Sequence, residues 1–147
     1  MKAVVQRVKS ASVTVDGVII SSIDQGLLIL LGVSVKDTHE QGVKLAKKVA
    51  KLRIFADQKA PMNADIQQVN GAILVVSQFT LCAQTKKGNR PSFIDAAPGK
   101  KAEPLYLDFI ENLRKETGCD IQSGSFGADM SVSLVNDGPV TIILDTE

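Results

Sequence analysis

From Gly26 to Val35 the chain is almost continuously apolar for about ten residues, and Leu27 to Val33 carries no polar side chain. A membrane-spanning helix needs about 20 such residues, so this run is too short to be one. A short unbroken apolar stretch bounded by turn signals is instead the pattern of a strand buried on both faces. The neighbouring segments agree with a sheet. Ala11, Val13 and Val15 alternate with Ser12, Thr14 and Asp16, the period of a half-buried strand. Asp16-Gly17 is a two-residue hairpin signal, because glycine tolerates positive φ, and Val18 to Ile23 then returns antiparallel before Gln25-Gly26 turns the chain again.

Helical spacing follows. Thr38 and Gln41 form a capping-box pair, Leu45, Ala46, Val49 and Leu52 share one face, and Lys44, Lys47, Lys48 and Lys51 share the solvent face. Asn70-Gly71 is a second hairpin signal, and Gly71 to Leu81 reads as one long strand. A basic loop with Lys86, Lys87 and Arg90 precedes a second helix expected to start near Lys101 to Pro104. Its stripe is Leu105, Tyr106, Phe109, Ile110 and Leu113, and Gly118 stands at a left-handed cap position. The chain ends in alternation again: Met130, Val132 and Leu134, a turn at Asp137-Gly138-Pro139, then Val140, Ile142 and Leu144. The expected architecture is α+β: one domain over residues 1–147, with a mainly antiparallel sheet or partly closed barrel carrying two helices.

The inventory excludes several chemistries. There is no phosphate-binding glycine loop, no dinucleotide fingerprint, no HExxH and no paired CxxC, so neither a metal nor a cofactor is expected. Cys82 and Cys119 lack metal-ligand spacing and suit unpaired thiols in a reducing compartment. Met1-Lys2 leads straight into a strand pattern without a secretory segment, and the expected location is the cytoplasm. Seventeen Lys and Arg against sixteen Asp and Glu leave a net charge of +1, so any nucleic-acid contact must use a local patch. The one histidine, His39, sits at a helix start among Asp37, Thr38 and Glu40 and reads as a capping or exposed residue. A triad hydrolase, which needs a proton-relaying base, is therefore disfavoured.

Two segments are more particular than scaffold requires. Ser77-Gln78-Phe79-Thr80-Leu81 places hydroxyls and an amide at the end of the central strand, where they and nearby N–H groups can hold a substrate; it is also readable as an alternating edge strand. Asn136-Asp137-Gly138-Pro139-Val140-Thr141 can leave backbone carbonyls pointing outward, or be an ordinary hairpin turn.

Together these two segments resemble the paired signature motifs of the D-aminoacyl-tRNA deacylases. The likeness extends through Met1 to Val8, Gly88-Asn89-Arg90-Pro91-Ser92-Phe93 and Gly124 to Met130, and so covers essentially the whole chain. Ser77, Phe79 and Asp137 follow the D-specific pattern rather than that of a related animal group. The resemblance implies a homodimer that hydrolyses the ester between a D-amino acid and the tRNA 3′ end, and that also clears mischarged glycyl-tRNA. It further implies that Gly138-Pro139, with a cis peptide bond, enters the partner's active site and rejects L side chains by rigid main chain. Ser77, Gln78, Phe79 and Thr80 are the implied catalytic group. Thr80 acts either as nucleophile or, in the preferred reading, as a positioning group while the tRNA's 2′-hydroxyl assists and amides near Phe79 hold the oxyanion. Lys86, Lys87 and Arg90 are candidate tRNA contacts. The alternatives are a non-catalytic RNA-binding module using the basic loop and the lysine face, and a small-ester hydrolase indifferent to RNA.

Overall fold

The structure is a computed structural model and describes residues 1–146. Six strands, β1 (Lys2–Val15), β2 (Val18–Ile23), β3 (Gly26–Gly32), β4 (Ala72–Ser77), β5 (Ile121–Ser123) and β6 (Ser131–Asp145), form one sheet with two helices, α1 (His39–Ala50) and α2 (Gly99–Thr117). The path is β2-β1-β3-β4-β5, with β6 on β1. β1 is the spine. Its first half lies between β3 and β6 and its second half between β2 and β6, all antiparallel, while β3–β4 and β4–β5 are parallel. β2 curls round to approach β4 and β5, so the sheet is nearly a closed barrel. The expected α+β class holds, with a mixed sheet.

The apolar run becomes β3, and its two faces serve two cores. Leu27, Ile29 and Leu31 face the helices, joined by Ile73 and Val75 of β4 and by Leu45, Val49, Phe109 and Leu113. Leu28 and Leu30 point the other way, into the curl of the sheet with Leu74, Val76, Val8 and Val13. Period-two alternation explains why a strand with cores on both sides has no polar position.

α1 begins as expected, with Gln41 Oε1 accepting the Thr38 N–H at 2.9 Å, and its three lysines and the cap residue Lys51 are exposed. His39 is exposed and reaches Asp108 on α2, Nδ1 to Oδ2 at 2.6 Å. α2 starts earlier than its sequence suggests. The Pro98 carbonyl already accepts from Lys101 N and Ala102 N, which puts Pro104 in the second turn rather than the first. The carbonyl its missing N–H would have served belongs to exposed Lys100. Gly118 ends the helix at φ 63°, the left-handed cap. Cys82 and Cys119 are free, and burial pushes both thiols up. No helix among the described residues is long and apolar enough to cross a membrane.

Two further differences matter for the site. The strand expected over Gly71 to Leu81 stops at Ser77: Gln78 N makes a last sheet bond to Leu31 O at 2.8 Å, and residues Phe79–Cys82 form a 3₁₀ turn. Asp137-Gly138-Pro139 is no hairpin turn. β6 pairs with β1 on both sides of it, Asn136 opposite Val8 and Thr141 opposite Gln6, so residues 137–140 bulge against the single residue Arg7. The Gly138-Pro139 bond is cis, as the family resemblance implied.

Phe109 is fully buried, so Phe109→Ala should cost about 3–5 kcal/mol by urea unfolding. Gly32 lets the 3₁₀ turn lie against β3, since a Cβ there would sit 2.9 Å from Leu81 Cβ and 3.0 Å from the Gln78 carbonyl oxygen. Neither neighbour is a flexible tip. Gly32→Ala should therefore cost about 1–3 kcal/mol in the same assay.

Candidate active site

A cavity of about 390 Å³ opens at the carboxyl ends of the parallel strands β3 and β4. Leu31, Val33 and Val76 line its floor, α2 contributes Ala102 and Tyr106, and the segment before β6 closes it with Phe126 to Ala128 and Met130. Ser77, Gln78 and Phe79 line it as well, so the end of β4 carries three of the four expected catalytic residues into one place.

Tyr106 is the one ionisable side chain in the described lining. It is buried, donates its hydroxyl to the Val75 carbonyl at 2.8 Å, and burial pushes its pKa up to about 12. The phenol stays neutral at ordinary pH and its proton is committed to the backbone. The wall thus offers apolar surface and a few neutral polar groups, the usual make-up of a small-ligand site. Among the described residues no group of His, Cys, Asp and Glu is assembled to hold a metal.

Thr80 is exposed and stands just outside the lining, its Oγ1 accepting from Gln78 Nε2 at 2.6 Å. An amide there orients the hydroxyl but, unlike a general base, cannot take its proton. Phe79, 56% exposed at the rim, packs edge-on against Phe93, with ring centroids 5.0 Å apart and planes at 69°. The 3₁₀ turn begins here, and its first amides have no intrahelical acceptor.

Gly138 and Pro139 do not line this chain's own cavity. Their bulge is fixed from β1. Arg7 Nε donates to the Asp137 carbonyl at 3.1 Å and lies 3.3 Å from the Asp137 carboxylate, while Nη1 donates to the Ile54 carbonyl at 2.6 Å. The Arg7 side chain is only 13% exposed, so these charge-assisted bonds are largely shielded from water. Lys86, Lys87 and Arg90 are exposed on a loop closed by paired bonds between Gln84 and Ser92, and they too lie outside the cavity. Sequence reasoning missed Arg7 as the anchor of the bulge and Tyr106 as a wall. Tyr106 gave the better signal, a hydroxyl in an otherwise apolar helical stripe.

Comparison with known proteins places this geometry. A family model described as D-Tyr-tRNA(Tyr) deacylase matches residues 4–145. A D-aminoacyl-tRNA deacylase of Chlorobaculum parvum is 51% identical over 146 residues, covering 99% of this chain and 98% of that one. One of Dictyoglomus turgidum is 55% identical over 147 residues, covering 100% and 94%. A solved structure described as a c-Myc DNA Unwinding Element Binding Protein superposes with a TM-score of 0.94 at 45% identity, covering 100% of this chain and 99% of the other. A probable eukaryotic D-amino acid tRNA deacylase, 17% identical with 97% of each chain covered, has a TM-score of 0.84 and shares the fold. Since the family match runs almost from end to end and full-length relatives are about half identical, the chain belongs to the D-Tyr-tRNA(Tyr) deacylase family.

Proposed function

We propose that this protein hydrolyses the ester joining a D-amino acid to the 3′ end of tRNA, releasing free D-amino acid and tRNA in the cytoplasm, and that it treats mischarged glycyl-tRNA the same way. The observation that carries the reading is the family's Ser77-Gln78-Phe79 segment on the wall of a cavity whose lining offers no group suited to proton transfer near neutral pH. In such a wall catalysis rests on positioning and on fixed dipoles. The tRNA's terminal 2′-hydroxyl assists the attack, amides at the start of the 3₁₀ turn receive the oxyanion, and Ser77, Gln78 and Thr80 orient the reactants. The Gln78 bond to Thr80 Oγ1 supports a positioning role for the threonine over a nucleophilic one.

Selectivity is assigned to Gly138 and Pro139 of a second copy of the chain. Two observations support a homodimer with its active sites at the subunit interface. This chain's own Gly138-Pro139 bulge is absent from its own cavity wall, and β6 carries apolar side chains outward at Val135 (53% exposed) and Ile143 (76% exposed). Rigid main chain suits such discrimination. Enantiomers present the same groups, so only fixed contacts and exclusion separate them, whatever the side chain.

The direct test is release of D-tyrosine from D-tyrosyl-tRNA by the purified protein without added metal or nucleotide. A protein that binds the RNA and leaves the ester intact is a binding module instead. Activity should weaken as salt rises, because phosphate contacts release counterions, whereas a small-ester hydrolase would be indifferent. Thr80→Ala should retain activity within about tenfold of the parent, against the roughly 10⁴-fold or greater loss typical of a triad nucleophile. A substrate ending in 2′-deoxyadenosine should be cleaved about 100-fold more slowly or worse, the scale of a lost acid–base contribution. Arg7→Ala, which frees the bulge from β1, should lower the ratio of D- to L-aminoacyl-tRNA cleavage by about tenfold, the scale of lost charge-assisted hydrogen bonds. Initial rates on both enantiomers measure it.

A further inference from the structure

A second, smaller cavity of about 140 Å³ is walled by Ser34, Val35, Lys36, Gln84 and Asp95. It is next to the first by two routes. Val33 and Ala97 line the large cavity, and one step further along the same segments Ser34 bridges Ala96 and Val35 N donates to Asp95 O at 2.9 Å. From the other side, Phe79 at the rim leads through the 3₁₀ turn to Gln84. Two residues of extended chain span about 7 Å, the reach of a single nucleotide.

The walls are chemically unusual. The Ser34 hydroxyl is buried with no hydrogen-bond partner, while its own N–H is held by Asp37 Oδ2 at 2.6 Å. That oxygen is closed off from solvent, so it stands behind the wall rather than facing an occupant. Asp95 Oδ2 accepts from Gln84 Nε2 at 2.6 Å, and Oδ1 has no hydrogen bond among the described residues. Lys36 is exposed and forms no ion pair among them. A free carboxylate oxygen repels a bare anion but accepts strongly from a sugar hydroxyl, and an unpaired lysine beside it suits a phosphate. Two residues past Gln84 the basic loop begins, with Lys86, Lys87 and Arg90.

We propose that this pocket holds the ribose and phosphate of the penultimate nucleotide of the tRNA 3′ end. Asp95 Oδ1 takes the 2′-hydroxyl, Lys36 takes the phosphate, and the strand then continues towards the basic loop. The assignment rests on the deacylase reading and adds a second point of RNA recognition to it. It gives the site a means of telling RNA from other esters, since the 2′-hydroxyl is the group that marks RNA.

Steady-state deacylation of D-tyrosyl-tRNA with ribose or 2′-deoxyribose at the penultimate position tests it, with D-tyrosyl-adenosine as a substrate lacking that nucleotide. For the unaltered protein, the 2′-deoxy substitution should raise KM about tenfold with kcat nearly unchanged, the scale of a hydrogen bond to a charged group. Asp95→Asn should raise KM for the all-ribose tRNA and respond much less to the 2′-deoxy change. It should cleave D-tyrosyl-adenosine as the parent does. An unaltered protein indifferent to the penultimate 2′-hydroxyl would overturn the subsite alone. So would an Asp95→Asn protein that loses activity equally on tRNA and on D-tyrosyl-adenosine, because the damage would then lie in the main cavity. An unaltered protein that cleaves neither substrate would remove the deacylase reading and the subsite with it.

Discussion

Burial of β3 and β4 on both faces is the constraint from which the rest of the molecule follows. One face of the pair needs the two helices, the other needs the sheet to curl over it, and each strand alternates its side chains between the two cores. The cover runs out where the strands end. Beyond Leu31 and Val76 nothing fills the space between helix α2 and the start of β6, and that unfilled space is the cavity. Parallel strands commonly place binding sites at their carboxyl ends, and here that end also carries the 3₁₀ turn that redirects Phe79 and Thr80.

The electrostatics of the cavity narrow its chemistry further. A wall with one ionisable group, itself held neutral by burial, is poorly suited to shuttle protons near pH 7. It is well suited to hold a reactive ester in one orientation. The charged groups of the region lie outside it instead: Lys36 and Asp95 at the smaller pocket, and the basic loop beyond. With a net charge of only +1, this local arrangement matters more than any field of the whole protein. The proposed mechanism fits that division, with substrate held inside and RNA gripped outside.

Much of this is legible in the chain. Period and turn chemistry locate β1 to β3, both helices and the final alternation, because those segments bury one regular face or two. The end of β4 misleads for a specific reason. Ser77 to Leu81 keeps a strand-like alternation of polar and apolar residues, and the 3₁₀ turn that replaces the strand packs against Gly32, a tertiary contact that the local sequence does not show. The start of α2 is hard to place because Pro104 looks like a first-turn proline, whereas the Pro98 carbonyl nucleates the helix a turn earlier. At the site, Ser77, Gln78 and Phe79 are recognisable as a motif, but that they share a wall with Tyr106 depends on helix–sheet packing between distant segments. Arg7 gives no local sign of its role, since its partners Asp137 and Ile54 are far away in the chain.

The bulge in β6 has a consequence for the strand that carries it. Pairing with β1 lapses after Asn136 and resumes at Thr141, so the ladder treats the residues between as a detour. A detour of this kind is absorbed locally: Arg7 and the buried Val140 tie it to the scaffold, while the hydrogen bonds on either side keep β6 in register on β1. One strand thereby combines regular pairing along most of its length with a single shaped interruption.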